Sequence, residues 1–194
     1  VLNNAFMNSA SVTVLTSHAG NWELVGGVLG YFTAPEKAAF NTDEMMVTYL
    51  KLHSPPWDEI FKKNRCAPVP GYTGLLESMD VIKYELQHKN EKKIYIHNND
   101  QYPYAQGVDI GNFLNQPTIA MMATINLAHK LHHSVLYMNM NRVSQGHYEW
   151  SFEVICEDAS TMEPIEIARK YYDLLERDIR NNPMNYIWSH KRWK

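Results

Sequence analysis

The sequence predicts an α/β domain with a mixed, mostly parallel sheet flanked by helices, and three observations point there. Short β-branched and apolar runs alternate with stretches of helical periodicity along the chain. A single hairpin signal, Ser144-Gln145-Gly146, joins two strand-like runs near the C-terminus and adds an antiparallel pair to the sheet. The 194 residues are 45% hydrophobic and 20% charged, enough for one domain over 1–194 with a sizeable core.

The elements follow in order. "SVTVLTS" (11–17) reads as a buried strand, being rich in β-branched residues. "NWELVGGVLGYF" (21–32) reads as a helix with Asn21 at the N-cap and Glu23 in the first turn. Its Gly26, Gly27 and Gly30 weaken it unless close packing requires them. "MMVTYLKL" (45–52) is a second strand, and "PPWDEIFKKNR" (55–65) a helix opened by proline.

Residues 73–89 place Leu75, Leu76, Met79, Ile82 and Leu86 on one face of an expected amphipathic helix. "KKIYIHNND" (92–100) is a strand running into a polar loop, and 101–116 an irregular excursion of a kind that often carries function. Residues 117–131 are apolar almost all round and read as a buried helix. In the hairpin's second strand Tyr148, Trp150, Phe152 and Val154 alternate with polar residues and are expected to be buried. Residues 162–182 form a long amphipathic helix through Ile165, Ala168, Tyr172, Leu175 and Ile179.

Composition narrows function. A net charge of −3 offers no global case for binding nucleic acid. The end of the chain is basic, with Arg177, Arg180, Lys191, Arg192 and Lys194 against Asp178 alone. That end suits a phosphate, an acidic carrier or an anionic membrane, and equally a solvated tail. Cys66 and Cys156 have no ligand-type spacing and read as reduced structural thiols. His129, His132 and His133 cluster, but no acid completes a metal set, so no metal is expected. No apolar run is long enough to span a bilayer. The chain starts at Val1 and reads as a fragment.

The chemical signal is "LTSHAGNWEL" (15–24), where His18 and Glu23 straddle Gly20. On one helix five steps would leave these side chains roughly 140° apart, and on one strand odd spacing would send them to opposite faces. A bend between them brings them together. A strand ending at His18 and a helix starting at Asn21 form a strand-to-helix connection, the edge of an α/β sheet where ligands commonly bind. Glu23 is then placed to accept a hydrogen bond from one ring nitrogen, leaving the other as a general base. The competing reading is a surface histidine beside a glutamate that complements a helix dipole. No enzyme nucleophile adjoins the pair, so the attacking group is expected to come from a substrate.

"HAGNWE" resembles the H-x-G-N-W-E block of the bacterial lipid A biosynthesis acyltransferases, within the lysophospholipid acyltransferase-like superfamily, whose mark is a histidine, four residues and an acid. "PMNYIWSHKRWK" (183–194) is similar to the family's P-x-x-Y-x-W-x-H-x-R-W/F-K ending. Between them Arg65 falls where the family carries an arginine, Asp100-Gln101 resembles its D-Q block, and 110–131 resembles its segment in which a short Phe/Gly loop precedes a buried helix. The likeness runs the length of the chain in order, without the family's N-terminal membrane-anchoring segment. Two departures concern the acceptor site: Ala19 stands where many members have an aromatic, and 101–113 keeps only Phe113 of a double-Phe loop.

The resemblance implies a glycerolipid acyltransferase-like fold. It also implies transfer of a fatty acyl group from a thioester, on acyl carrier protein or coenzyme A, to a hydroxyl of a membrane lipid. It casts His18 as base and Glu23 as its orienter. Arg65, Asn21 or a backbone N–H near Gly20 become donors to the oxyanion, and Asp100 and Gln101 catalytic or acceptor-binding residues, the competing reading being that these two simply hold the loop. No cofactor is implied. The expected place of work is the cytoplasmic face of the bacterial inner membrane, with a carrier protein or acyl-CoA and a lipid acceptor as partners.

Overall fold

Val12, Val14 and Leu15 are fully buried, which is why the β-branched run near the N-terminus becomes an interior strand. In a computed structural model, described over residues 1–32, 34–103 and 107–193, the chain opens with α1 (Leu2–Asn8) and β1 (Val12–Thr16). A 3₁₀ segment, Trp22–Tyr31, follows, then β2 (Met45–Tyr49), α2 (Pro55–Cys66), β3 (Leu75–Glu77), α3 (Val81–Gln87) and β4 (Ile94–Asn98). The second half contains β5 (Gly107–Phe113), β6 (Gln116–Met121), α4 (Ala123–Lys130), β7 (Ser134–Ser144), β8 (His147–Cys156) and α5 (Pro164–Asn181). Six strands form one sheet in the order β3-β2-β4-β1-β7-β8. All neighbours are parallel except β7 and β8, so the sheet is mixed and mostly parallel, as expected.

One apolar cluster lies on each face. Val12, Val14, Val47, Ile96 and Leu136 pack with α1 and the 3₁₀ segment. Leu15, Tyr137 and Val135 pack on the other face with α4, α5 and the β5–β6 ribbon. In α5, Ala168, Tyr172, Leu175 and Ile179 are buried as predicted, joined by Ile167 and Tyr171, while Ile165 is half-buried. No helix is long and apolar enough to cross a membrane among the described residues.

Several expected elements differ. Residues 73–89 are not one helix. Leu75–Glu77 adds a strand to the open edge of β2, and α3 begins only at Val81. That edge offered unpaired backbone groups, and pairing there outweighs helical periodicity. Met79, Ile82 and Leu86 are therefore exposed, and the inner positions of α3 are Val81 and Glu85.

The expected excursion and buried helix also split differently. Residues 107–113 and 116–121 form a separate two-stranded antiparallel ribbon, and only Ala123–Lys130 is helical; residues 104–106 lie outside the described residues. The ribbon turns on Leu114 and Asn115, both with positive φ, the two-residue geometry usually signalled by Asn-Gly. Leucine in that conformation gives no such signal. In β8, Tyr148, Trp150 and Phe152 are only half-buried and Val154 is exposed. β8 is the sheet's edge, and a register shift opposite Val135–Leu136 moves burial to Ile155 and Cys156. The other turn, Gln145-Gly146, matches expectation, with Gly146 at φ +74°.

Residues 22–31 are a 3₁₀ segment rather than an α-helix, kinked at Gly27, and Asn21 makes no capping bond through its side chain. The glycines serve close approach to the end of α2. A Cβ on Gly26 would sit 2.9 Å from the Arg65 carbonyl oxygen, and one on Gly30 2.6 Å from that of Pro68.

Gly20 makes the turn after β1, at φ +60°. A Cβ there would sit 2.7 Å from the Met140 carbonyl oxygen. Gly20→Ala therefore adds left-handed strain to a backbone collision. We expect a loss of about 2–3 kcal/mol, read in thermal unfolding as a fall of roughly 4–12 °C in Tm.

A second prediction concerns His133. Its ring is buried, stacks parallel to Tyr95 and shares a 3.0 Å hydrogen bond with Thr13. Burial lowers its pKa from 6.5 to about 4, with the Glu85 charge pulling upward and His97 downward. The unfolded chain then binds a proton that the folded one does not, so this contribution is complete above pH ~6.5 and is lost as pH falls toward 4. Unfolding free energy should drop by up to about 3 kcal/mol over that window. His133→Gln should flatten the slope in denaturant titrations at stepped pH.

Candidate active site

Parallel register builds the site. Thr16 of β1 lies opposite Asn98 of β4, and the Asn99 N–H donates to the Thr16 carbonyl at 3.0 Å. Two residues beyond each strand stand His18 and Asp100, side by side at the carboxyl edge of the sheet. The His18 Nδ1–H donates to Asp100 Oδ1 at 2.7 Å, and the His18 backbone N–H to Oδ2 at 3.2 Å. The Asp100 side chain is only 1% exposed and that of His18 14%. With Nδ1 committed to a carboxylate, Nε2 is the acceptor nitrogen of the neutral ring. The Gln101 side-chain amide points at Nε2 from 3.4 Å. Trp22 packs edge-on against the imidazole, with ring centroids 4.6 Å apart.

The ring is thus held by Asp100, and the expected hydrogen bond from His18 to Glu23 is not formed. Glu23 instead takes a two-point ion pair from Arg65, at 2.5 Å from Nε and 3.1 Å from Nη2. The cause is local. The 3₁₀ segment and its glycines press Trp22–Tyr31 onto the end of α2, and this closes the distance between Glu23 and Arg65. Arg65 is 10% exposed, and its guanidinium lies within 6 Å of the rings of Trp22, Tyr49 and Phe61.

A cavity of about 600 Å³ opens beside these groups. His18, Glu23, Arg65, Asn98 and Gln101 supply its polar side, and Val25, Gly26, Val47, Ile96 and Phe61 an apolar wall. Such a volume suits a small lipid-like ligand with one reactive polar end. Gly20 and Asn21 lie outside the cavity wall, and the Gly20 N–H is already given to the Asn185 carbonyl at 2.7 Å. Gly20 therefore shapes the bend and is not a free donor. Ile187, Ser189 and His190 close the cavity from the C-terminal segment.

Tyr186 in that segment donates to Asp100 Oδ2 at 3.1 Å. Spacing alone could not find it, because it lies 86 residues from Asp100. Burial, and next the Asp100 charge, push the Tyr186 phenol well above its usual pKa, so it stays protonated and donates. The Tyr172 hydroxyl donates to the Asn99 carbonyl at 2.9 Å, and buried Arg192 donates to the Tyr172 oxygen at 2.7 Å. The three histidines 129, 132 and 133 do not converge: His132 faces Asp158, and His133 is buried against Thr13 and Tyr95. Among the described residues no group of three or more His, Cys, Asp or Glu side chains is placed to hold a metal ion.

A buried carboxylate, an imidazole whose second nitrogen adjoins a largely apolar cavity, and an arginine on the cavity wall make an arrangement suited to acyl transfer. No curated protein matches the chain in a search of known sequences. The family model described as "Bacterial lipid A biosynthesis acyltransferase" matches residues 2–194, nearly the whole chain. A match over nearly the whole chain places it in the family: the chain belongs to the bacterial lipid A biosynthesis acyltransferase family and is an acyltransferase acting on lipid.

Proposed function

We propose that the protein moves a fatty acyl group from a thioester, on acyl carrier protein or coenzyme A, to a hydroxyl of a membrane lipid, with a lipid A precursor as the acceptor. The observation that carries this reading is the His18–Asp100 pair, which leaves the second ring nitrogen, Nε2, on the side of the cavity and of Gln101. The acceptor hydroxyl displaces the Gln101 amide and gives its proton to His18 Nε2 as its oxygen attacks the thioester carbonyl. Asp100 holds the ring in the required tautomer and stabilises the imidazolium. The tetrahedral oxyanion collapses, the C–S bond breaks, and the leaving thiolate takes the proton back from His18.

Arg65 is the charged donor on the cavity wall, and Glu23 holds it there. One such preorganised donor is worth about 3–4 kcal/mol of transition-state stabilisation. The thioester is already activated, so this mechanism calls on no cofactor. Leu50 and Ile187 line the cavity and are themselves exposed, which gives it a partly apolar rim. This apolar rim supports a working position against a membrane surface, which we place at the cytoplasmic face of the inner membrane.

The test incubates the protein with acyl-carrier protein or acyl-CoA and candidate lipids, and measures free thiol and acylated lipid together. Thiol without acylated lipid would point to a thioesterase, and neither product with tight lipid binding to a non-catalytic lipid-binding domain. His18→Ala should lower turnover by about 10²–10⁴-fold while leaving the unfolding transition in place; undiminished turnover would remove the base from this mechanism. Asp100→Asn and Glu23→Gln separate the two carboxylates. Asp100→Asn should lose activity nearly as far as His18→Ala. Glu23→Gln, which weakens only the hold on Arg65, should lose about 10-fold. Equal losses would return Glu23 to the imidazole.

A further inference from the structure

We infer that Tyr186 is a positioning residue of the acyl transfer, delivered to the catalytic pair by a C-terminal strap (residues 183–193) that completes the active site. This rests on the acyl-transfer reading above.

Among the described residues the Asp100 carboxylate accepts three hydrogen bonds: from the His18 ring, from the His18 backbone and from the Tyr186 hydroxyl. The first comes from the ring that Asp100 must itself orient, and the second anchors Oδ2 to the main chain of the same residue. Tyr186 supplies the third from outside. Its donation to Oδ2 resists rotation of the carboxylate and keeps Oδ1 aimed at Nδ1.

The strap is held to the same three residues that carry the histidine. Ala19 and Tyr186 form an antiparallel bridge. The Gly20 N–H donates to the Asn185 carbonyl at 2.7 Å, and the Ile187 N–H to the His18 carbonyl at 3.1 Å. The Asn185 side-chain amide adds a 2.7 Å bond to the Met140 carbonyl, tying the strap to β7. Trp188 packs edge-on against the Tyr186 ring at 5.2 Å. A phenol placed this way moves with the histidine's own backbone, so the geometry of the three side chains is preserved as a unit. Farther along, Arg192 reaches the Asn99 carbonyl through Tyr172 and steadies the backbone beside Asp100.

The test compares Tyr186→Phe with the unaltered protein. The ring and its packing survive, and only the hydroxyl is lost. We expect kcat to fall about 10-fold with KM for the acyl donor unchanged and Tm nearly unchanged. The imidazole Nδ1–H proton of His18, read as a low-field NMR resonance that His18→Ala abolishes, should shift in Tyr186→Phe without substrate present. In an Asp100→Asn background Tyr186→Phe should have no further effect on kcat, because the two act through one contact. A merely structural tyrosine would leave kcat and the resonance as in the unaltered protein and add independently to Asp100→Asn, and any of these results would overturn the proposal. If the unaltered protein transferred no acyl group from any donor, the acyl-transfer reading would fail. The resonance shift would still decide whether Tyr186 orients the pair.

Discussion

The parallel pairing of β1 with β4 is the constraint on which the site depends. It aligns Thr16 with Asn98 and so sets His18 against Asp100 two residues later. A slip of one residue would turn every side chain of β1 to the opposite face and take Val14 out of its cluster. Core burial and site geometry therefore enforce the same register. The apolar pattern of two central strands, buried on both faces, holds a polar pair that those strands do not themselves contain.

The two carboxylates near His18 have separate tasks because of how their backbones are held. Asp100 leaves a central strand and is locked by the sheet. Glu23 lies on a glycine-rich 3₁₀ segment that packs closely on the end of α2, which puts it in reach of Arg65. The outcome is an imidazole–carboxylate pair beside a guanidinium–carboxylate pair, both bordering one cavity. Glu23 and Arg65 form an ion pair, and Asp100 accepts hydrogen bonds from His18 and Tyr186, which offsets the cost of keeping these groups away from water.

The core strands and the long amphipathic helix were legible in the sequence because their burial follows a simple period. Val12–Thr16 and the α5 stripe through Ala168, Tyr172, Leu175 and Ile179 lie where the pattern puts them. Residues 73–89 and 117–131 misled for one reason: an apolar run suits a helix or a strand equally well. Only an open sheet edge for Leu75–Glu77, and a ribbon partner for Gln116–Met121, decided between the two.

By itself, the sequence determined the α/β class, the bend at Gly20 and the residue types around it, because these depend on local conformational preference and on the periodicity of burial. It also carried His18, Arg65 and Asp100 as candidates, through a pattern shared with a known family. The partnerships among them were decided by tertiary structure. His18 meets Asp100 and not Glu23, Glu23 meets Arg65, and Tyr186 reaches Asp100 across 86 residues. Hydrogen bonds act over about 3 Å in space, and distance along the chain says nothing of that until strand register and packing have brought the groups together.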